Sequence, residues 1–133
     1  MNFSLTKEQK DIKKAAAEFA RGEFQPDLIL ECESGHRFPR EVYKKAGELG
    51  FIGLDYPEEV GGGDLGVMEN VLVIEEFCKA DSGMGMALHL AYLPAKIVKI
   101  FGTPGQQEKF CRRWSRATGS LLYHLPSLTT EAI

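Results

Sequence analysis

Between Val67 and Phe101 the chain carries two apolar stretches of helical length, VMENVLVIEEFCK and SGMGMALHLAYLPAKIVKIF, with only Ala80 and Asp81 between them. The first is apolar on most of its sides. A helix without a continuous polar face has to be surrounded by protein, so a helix over about 66–80 is expected at the centre, packed between others. Ser82 can cap the second helix, and Gly102 ends it after Phe101. Pro94 lies inside that segment and is expected to kink it, because proline removes a helical donor and crowds the preceding turn.

The flanking sequence adds shorter helices. Thr6 and Gln9 have the T-x-x-Q spacing of a capping box, and Ile12, Ala15, Ala16, Phe19 and Ala20 follow as one apolar stripe. Gly22 and Pro26 are expected to interrupt it before a short piece, DLILECE. Pro39 suits a first helical position, Val42, Tyr43, Ala46 and Leu49 form the next stripe, and Gly50 is a natural stop. FIGLDYPEEVGGGDLG reads as a loop with a short apolar entry. Thr103, Pro104 and Gln106 repeat the capping logic for a last helix. Strand signals are thin, so the fold class is all-α: an up-and-down or orthogonal bundle of five to six helices.

Charge and composition narrow the function classes. Residues 1–110 hold 13 Lys/Arg and 18 Asp/Glu, a net of −5, while residues 111–133 hold three arginines and one acid, a net of +2. Nothing in the acidic main body invites nucleic acid. There is no run of 18 apolar residues, so no transmembrane helix and no membrane partner are expected. The N-terminus, MNFSLTKEQK, has no apolar signal core. Cys32, Cys78 and Cys111 have neither metal nor disulfide spacing; such a set fits reduced thiols in a cytoplasmic protein.

Three motifs have both a chemical and a plain reading. GGGDLG, Gly61 to Gly66, matches G-x-G-x-x-G, but a dinucleotide site needs a buried strand just before it. DYPEEV, with a proline and two carboxylates, is a poor strand, so a turn is expected. Glu75 and Glu76 are adjacent on a helix and point about 100° apart, so they do not converge as an acid/base pair; one is expected exposed and the other paired at an element junction. His89 lies on an apolar helix face, where a core or pocket-lining role is expected. His36 and His124 lie in unrelated segments, so no metal site is expected.

The order of pieces is more telling than any single motif. LTKEQKDIKKAAAEFA is followed by FPREVYKKAGELGFIGLDYPEEVGGGDLG and then VIEEFCKADSGMGMALHLAYLPAKIVKIFGTPGQQEKF. This succession over residues 3–110 resembles the N-terminal helical domain of the acyl-CoA dehydrogenases. The resemblance implies an enzyme family that holds FAD between two further domains and oxidises the Cα–Cβ bond of acyl-CoA thioesters. It also implies a catalytic glutamate in a later domain, so Glu75 and Glu76 are not assigned that role and no catalytic residue is expected here. Registering on Glu75-Glu76 and Gly102, it places Gly85, Met86, His89, Leu90 and Leu93 on the acyl-chain pocket. Acyl-CoA and an electron-transfer flavoprotein are the implied partners of the full-length protein. Self-association through an exposed apolar face is expected of the domain alone. The alternative is a stand-alone helical binding module, and the DNA downstream distinguishes the two.

After Phe110 the resemblance stops, and CRRWSRATGSLLYHLPSLTTEAI follows. The family continues there roughly as LPxLxxG and then TEPxxGSD. Taking the third base of each codon with the first two of the next, Phe110–Cys111 gives Leu whichever codons are used, and the next codons permit Pro-Ala-Leu-Val-Ala-Gly. LPSLTTEAI permits Thr-Glu-Pro-x-x-Gly-Ser-Asp in the same frame. The expected organisation is therefore a family domain over 1–110 and an out-of-frame tail over 111–133. This chain alone is expected to bind no FAD and to be inactive.

Overall fold

The computed structural model describes residues 4–115; the side chains of 91–93 and 111–115 lie outside the description. Six helices follow one another: α1 (Lys7–Glu23), α2 (Pro26–Ser34), α3 (Arg40–Glu48), α4 (Val67–Ala80), α5 (Ser82–Phe101) and α6 (Pro104–Ser115), with a 3₁₀ turn over Glu58–Val60 before α4. No strand occurs among the described residues. α4 packs against α1 on one side and α5 on the other, and α6 packs against α5. The central position expected for the 66–80 segment is the one observed.

Both expected capping boxes form. The Thr6 hydroxyl accepts from the Gln9 amide at 3.1 Å while the Gln9 side chain accepts from the Thr6 amide at 3.0 Å. Thr103 and Gln106 make the same exchange at the start of α6. The cap of α5 is Asp81, not Ser82: Asp81 is extended, and its carboxylate accepts from the Met84 amide at 2.7 Å. Ser82 is already the first helical residue, so its hydroxyl is no longer placed to serve that amide.

Other details shift by a residue or a face. α1 runs through Gly22, and the break falls at Phe24–Gln25, after which Pro26 opens α2. Pro39 is the residue before α3, not its first turn. Ala15 is exposed because it sits about 100° around the helix from buried Ala16. Leu49 is 64% exposed, since it caps α3 beyond the core. There Gly50 takes a left-handed φ of 80°, and the Phe51 amide reaches back to the Ala46 carbonyl at 2.8 Å. This is the Schellman stop that a glycine permits. α5 is assigned as helix straight through Pro94. By length and composition it could cross a membrane, contrary to the hydropathy expectation; it packs against α4 and α6 and leaves one apolar face exposed.

The core is aromatic. Phe19 stands 5.2 Å from Phe51, 5.4 Å from Phe77 and 6.3 Å from Phe24, ring centre to ring centre. This cluster joins α1, α4 and the segment after α3. Each such burial contributes roughly 1.5–3 kcal/mol. Tyr43, Tyr56 and Leu88 are fully buried around it.

Candidate functional site

Site chemistry has to come from what the bundle leaves uncovered. Along α5, Met86 (42% exposed), Leu90 (43%), Ile97 (63%), Ile100 (67%) and Phe101 (81%) form an apolar stripe with no covering element among the described residues. Met86, His89 and Leu90 lie on one arc of this helix, as their spacing requires. His89 is half-buried between the stripe and the packed side. The side chain of Leu93 falls outside the described residues.

Gly85 occupies the inner edge of that arc. It is buried, and a Cβ built on it would stand 2.7 Å from the Cys78 amide nitrogen and 2.7 Å from its sulfur. Its missing side chain lets α5 approach α4 closely. The described structure therefore places Gly85 against a helix, while Met86 and Leu90 face outward.

A polar cluster joins the loop after α3 to α4 and α5, and it was not legible as a site in the sequence. Asp55, in the loop after α3, accepts from the Asn70 amide at 2.8 Å and stands 3.4 Å from the Lys96 ammonium. Lys99 donates to the Asp55 carbonyl, with its ammonium 5.8 Å from the centre of the Tyr56 ring. Burial lowers the pKa of His89 below the ordinary imidazole value; Lys96 acts in the same direction and Asp55 against it. The available signal was the i, i+7 spacing of His89 and Lys96, which stacks them on one face.

As expected, Glu75 is exposed while Glu76 is largely covered and paired at the junction of α1 and α4; Glu75 is paired as well. Glu75 meets Lys13 at 2.9 Å and Lys79 at 2.8 Å; Glu76 meets Lys13 at 3.4 Å and Lys79 at 2.8 Å. Their positions are about 100° apart on the helix, yet both carboxylates meet the same two ammonium groups. The Lys13 contacts tie α1 to α4, and the Lys79 contacts lie within α4. Hydrogen bonds from Lys79, then from Lys13, hold the Glu75 carboxyl below the usual range; Glu76 is lowered by the same cations, Lys79 first, against its own desolvation.

The glycine-rich run is a turn. The Asp64 amide donates to the Tyr56 carbonyl at 2.8 Å and the Leu65 amide to the Leu54 carbonyl at 2.7 Å. A Cβ on Gly62 would fall 2.1 Å from that Tyr56 oxygen, so the space a pyrophosphate would need is filled by backbone. His36 is an exposed turn residue, and His124 lies outside the described residues. Among the described residues no group of three His, Cys, Asp or Glu could hold a metal ion. Cys32 and Cys78 are free thiols. A cavity of about 420 Å³ lies between α2 and α3, lined by Leu28, Cys32, Phe38 and Val42 among others, away from the α5 stripe.

Comparison with known proteins places this arrangement. Residues 6–118 match the family model for the acyl-CoA dehydrogenase N-terminal domain. The match, like α6, passes through Phe110 without a break. Acryloyl-CoA reductase (NADH) of Anaerotignum propionicum is 34% identical over 116 residues, covering 87% of this chain and 29% of that protein. Butyryl-CoA dehydrogenase of Megasphaera elsdenii superposes with a TM-score of 0.78 at 31% identity, over 90% of this chain and 32% of that one. A chain in the structure of the electron transferring flavoprotein of Acidaminococcus fermentans gives a TM-score of 0.79 at 37% identity, over 90% and 32%. An acyl-CoA dehydrogenase of Bacillus anthracis, solved with FAD, gives 0.76 at 28% identity, over 88% and 20%. The chain thus spans about a third or less of the length of each.

Proposed function

The chain belongs to the acyl-CoA dehydrogenase family, as its N-terminal helical domain, and on that premise we propose that it supplies a helical wall of the acyl-chain pocket in an FAD-dependent enzyme. The uncovered α5 stripe carries this reading. Met86 and Leu90 are half exposed on the uncovered face of α5, as expected of residues that meet an acyl chain. Met is adaptable and fits a flexible apolar ligand. His89 and Leu93 complete the proposed lining, and Gly85 acts from behind by setting how closely α5 approaches α4.

The flavin is assigned to the parts of the full-length protein beyond this domain. The glycine-rich run does not fit a dinucleotide, and the residues described here supply no step at the flavin. Their share is to exclude water from the acyl chain and to orient it, while bound FAD would accept the hydride. Acyl-CoA as substrate and an electron-transfer flavoprotein as electron acceptor are proposed for the full-length protein. So are a cytoplasmic location and, for the domain alone, self-association through the α5 stripe.

The boundary at Phe110 is proposed on codon grounds. Two family blocks, LPxLxxG and TEPxxGSD, are both permitted by one alternative frame of residues 110–133 at the right separation. The test is to read the DNA across the Phe110 codon and beyond it. Coding sequence for a β-domain and a helical domain in the shifted frame supports the reading, and unrelated sequence refutes it.

A further inference from the structure

A single residue, Asp81, joins α4 to α5, so the two helices form a hairpin. Near that turn the helices meet at Gly85, where an added Cβ would stand 2.7 Å from the Cys78 amide nitrogen. Far from the turn they are joined by charge. The Lys96 ammonium stands 3.4 Å from one oxygen of the Asp55 carboxylate, and the other accepts from the Asn70 amide at 2.8 Å. Lys99 donates to the Asp55 carbonyl, beside the Tyr56 ring. Asn70 belongs to α4 and is buried, so both lysines grip α4 through Asp55. Asp55 is itself well fixed. Leu54 and Tyr56 on either side of it are buried, and their carbonyls accept from the Leu65 and Asp64 amides at 2.7 and 2.8 Å.

The two contacts fall on one line of α5. Lys96 and Lys99 follow Gly85 by 11 and 14 positions, which sets them within about 40° of it around the helix. Met86, Leu90 and Ile97 lie about 100–140° away from Gly85, where they are exposed. Any rotation of α5 about its axis would carry these side chains with it. Resting on the reading that α5 borders the acyl chain, we propose that Lys96 and Lys99 are positioning residues for that wall. By clasping Asp55 they hold the far end of the hairpin shut and fix the rotation of α5, which aims Met86 and Leu90. The hairpin acts as a lever. Lys96 and Lys99 stand about four times as far from Asp81 along α5 as Gly85 does, so parting the helices at residue 85 requires a swing roughly four times larger at the clasp. A closed clasp therefore makes a methyl group at residue 85 costly.

The test is urea unfolding of the 133-residue chain, reading the loss in folding constant of Gly85→Ala against Gly22→Ala. It needs neither flavin nor acyl-CoA, so its failure is separate from any failure of the family-based reading. In a Lys96→Met/Lys99→Met background that loss should shrink by about threefold or more, because the released helix can swing away from the new methyl. Gly85 meets Cys78 and Phe77, whereas the lysines meet Asp55 and Tyr56. Sites that act separately would add within roughly twofold. Lys96→Arg/Lys99→Arg keeps both charges and should keep the full loss. Lys13→Met removes a cation from the α1–α4 contact instead and should also leave the loss unchanged. Additivity in the methionine pair, or equal relief in Lys13→Met, overturns the proposal. If Gly85→Ala does not fold in the parent chain, folding regained with the methionine pair shows the same relief, and failure in both backgrounds overturns it.

Discussion

Replacing Gly85 by alanine should destabilise the bundle, and the structure supplies its own control. In a helix interior the exchange ordinarily gains roughly 0.8–1 kcal/mol, because alanine loses less backbone freedom on folding. At Gly85 the new Cβ would lie 2.7 Å from the Cys78 nitrogen, 2.7 Å from its sulfur and 2.9 Å from the Phe77 carbonyl carbon. Two of these three atoms are backbone, so α4 and α5 must move apart, and overpacking of this kind costs about 1–3 kcal/mol. At Gly22, near the end of α1, nothing lies within 4 Å of the added carbon. The propensity gain is similar in both variants, so their difference isolates the packing: Gly85→Ala should be about 1–3 kcal/mol less stable than Gly22→Ala. Equilibrium urea unfolding followed by helical circular dichroism measures this. A Gly85→Ala protein as stable as Gly22→Ala would refute the close approach and would move Gly85 to an open surface.

The capping assignment gives a second pair: Asp81→Ala should cost about 1 kcal/mol, whereas Ser82→Ala should stay within about 0.5 kcal/mol, by the same unfolding assay. Acid should loosen the α1–α4 tie. Glu69, Glu75 and Glu76 have folded pKa values below their ordinary 4.5, Glu69 through its bond from Gln9 and the other two through Lys79 and Lys13. Their contribution is therefore present above pH 4.5 and lost as pH falls through the folded values. Melting temperatures between pH 6 and pH 3 should drop less steeply in Lys13→Met, which has already lost the α1 partner; an unchanged slope would exclude this network as the cause. In a full-length enzyme with the reading frame restored, Met86→Trp should shift preference toward shorter acyl chains, and an unaltered substrate profile would remove Met86 from the pocket.

What could be read from the sequence was what is local to it. Thr6–Gln9 and Thr103–Gln106 are complete within four residues, and both boxes form as written. The two apolar stretches after Val67 required packed helices, and α4 and α5 pack against each other, with α4 at the centre. Neighbouring choices were harder. Asp81 and Ser82 are both good caps, and only the extended backbone at Asp81 decides between them. Ala15 and Ala16 differ by 100° of rotation, enough to put one outside and one in the core. The long-range electrostatics were out of reach: Lys13 is 62 positions from Glu75, and Asp55 is 41 from Lys96. Flexible cations that reach two adjacent carboxylates leave no periodic trace. The family resemblance singled out Met86 and Leu90 on α5, whereas the exposure of Ile97, Ile100 and Phe101 and the inward role of Gly85 follow only from the structure.

The central claim is that this domain forms part of an FAD-dependent acyl-CoA dehydrogenase whose remaining parts lie in a shifted frame after Phe110. The most direct measurement compares two purified products: the 133-residue chain, and the product of the same gene with one base restored near the Phe110 codon. Flavin absorbance and acyl-CoA-dependent reduction of an electron acceptor are read from each. The account predicts a colourless, inactive short chain and a yellow, active restored protein. Flavin and turnover in the short chain, or neither in a folded restored protein, would contradict it.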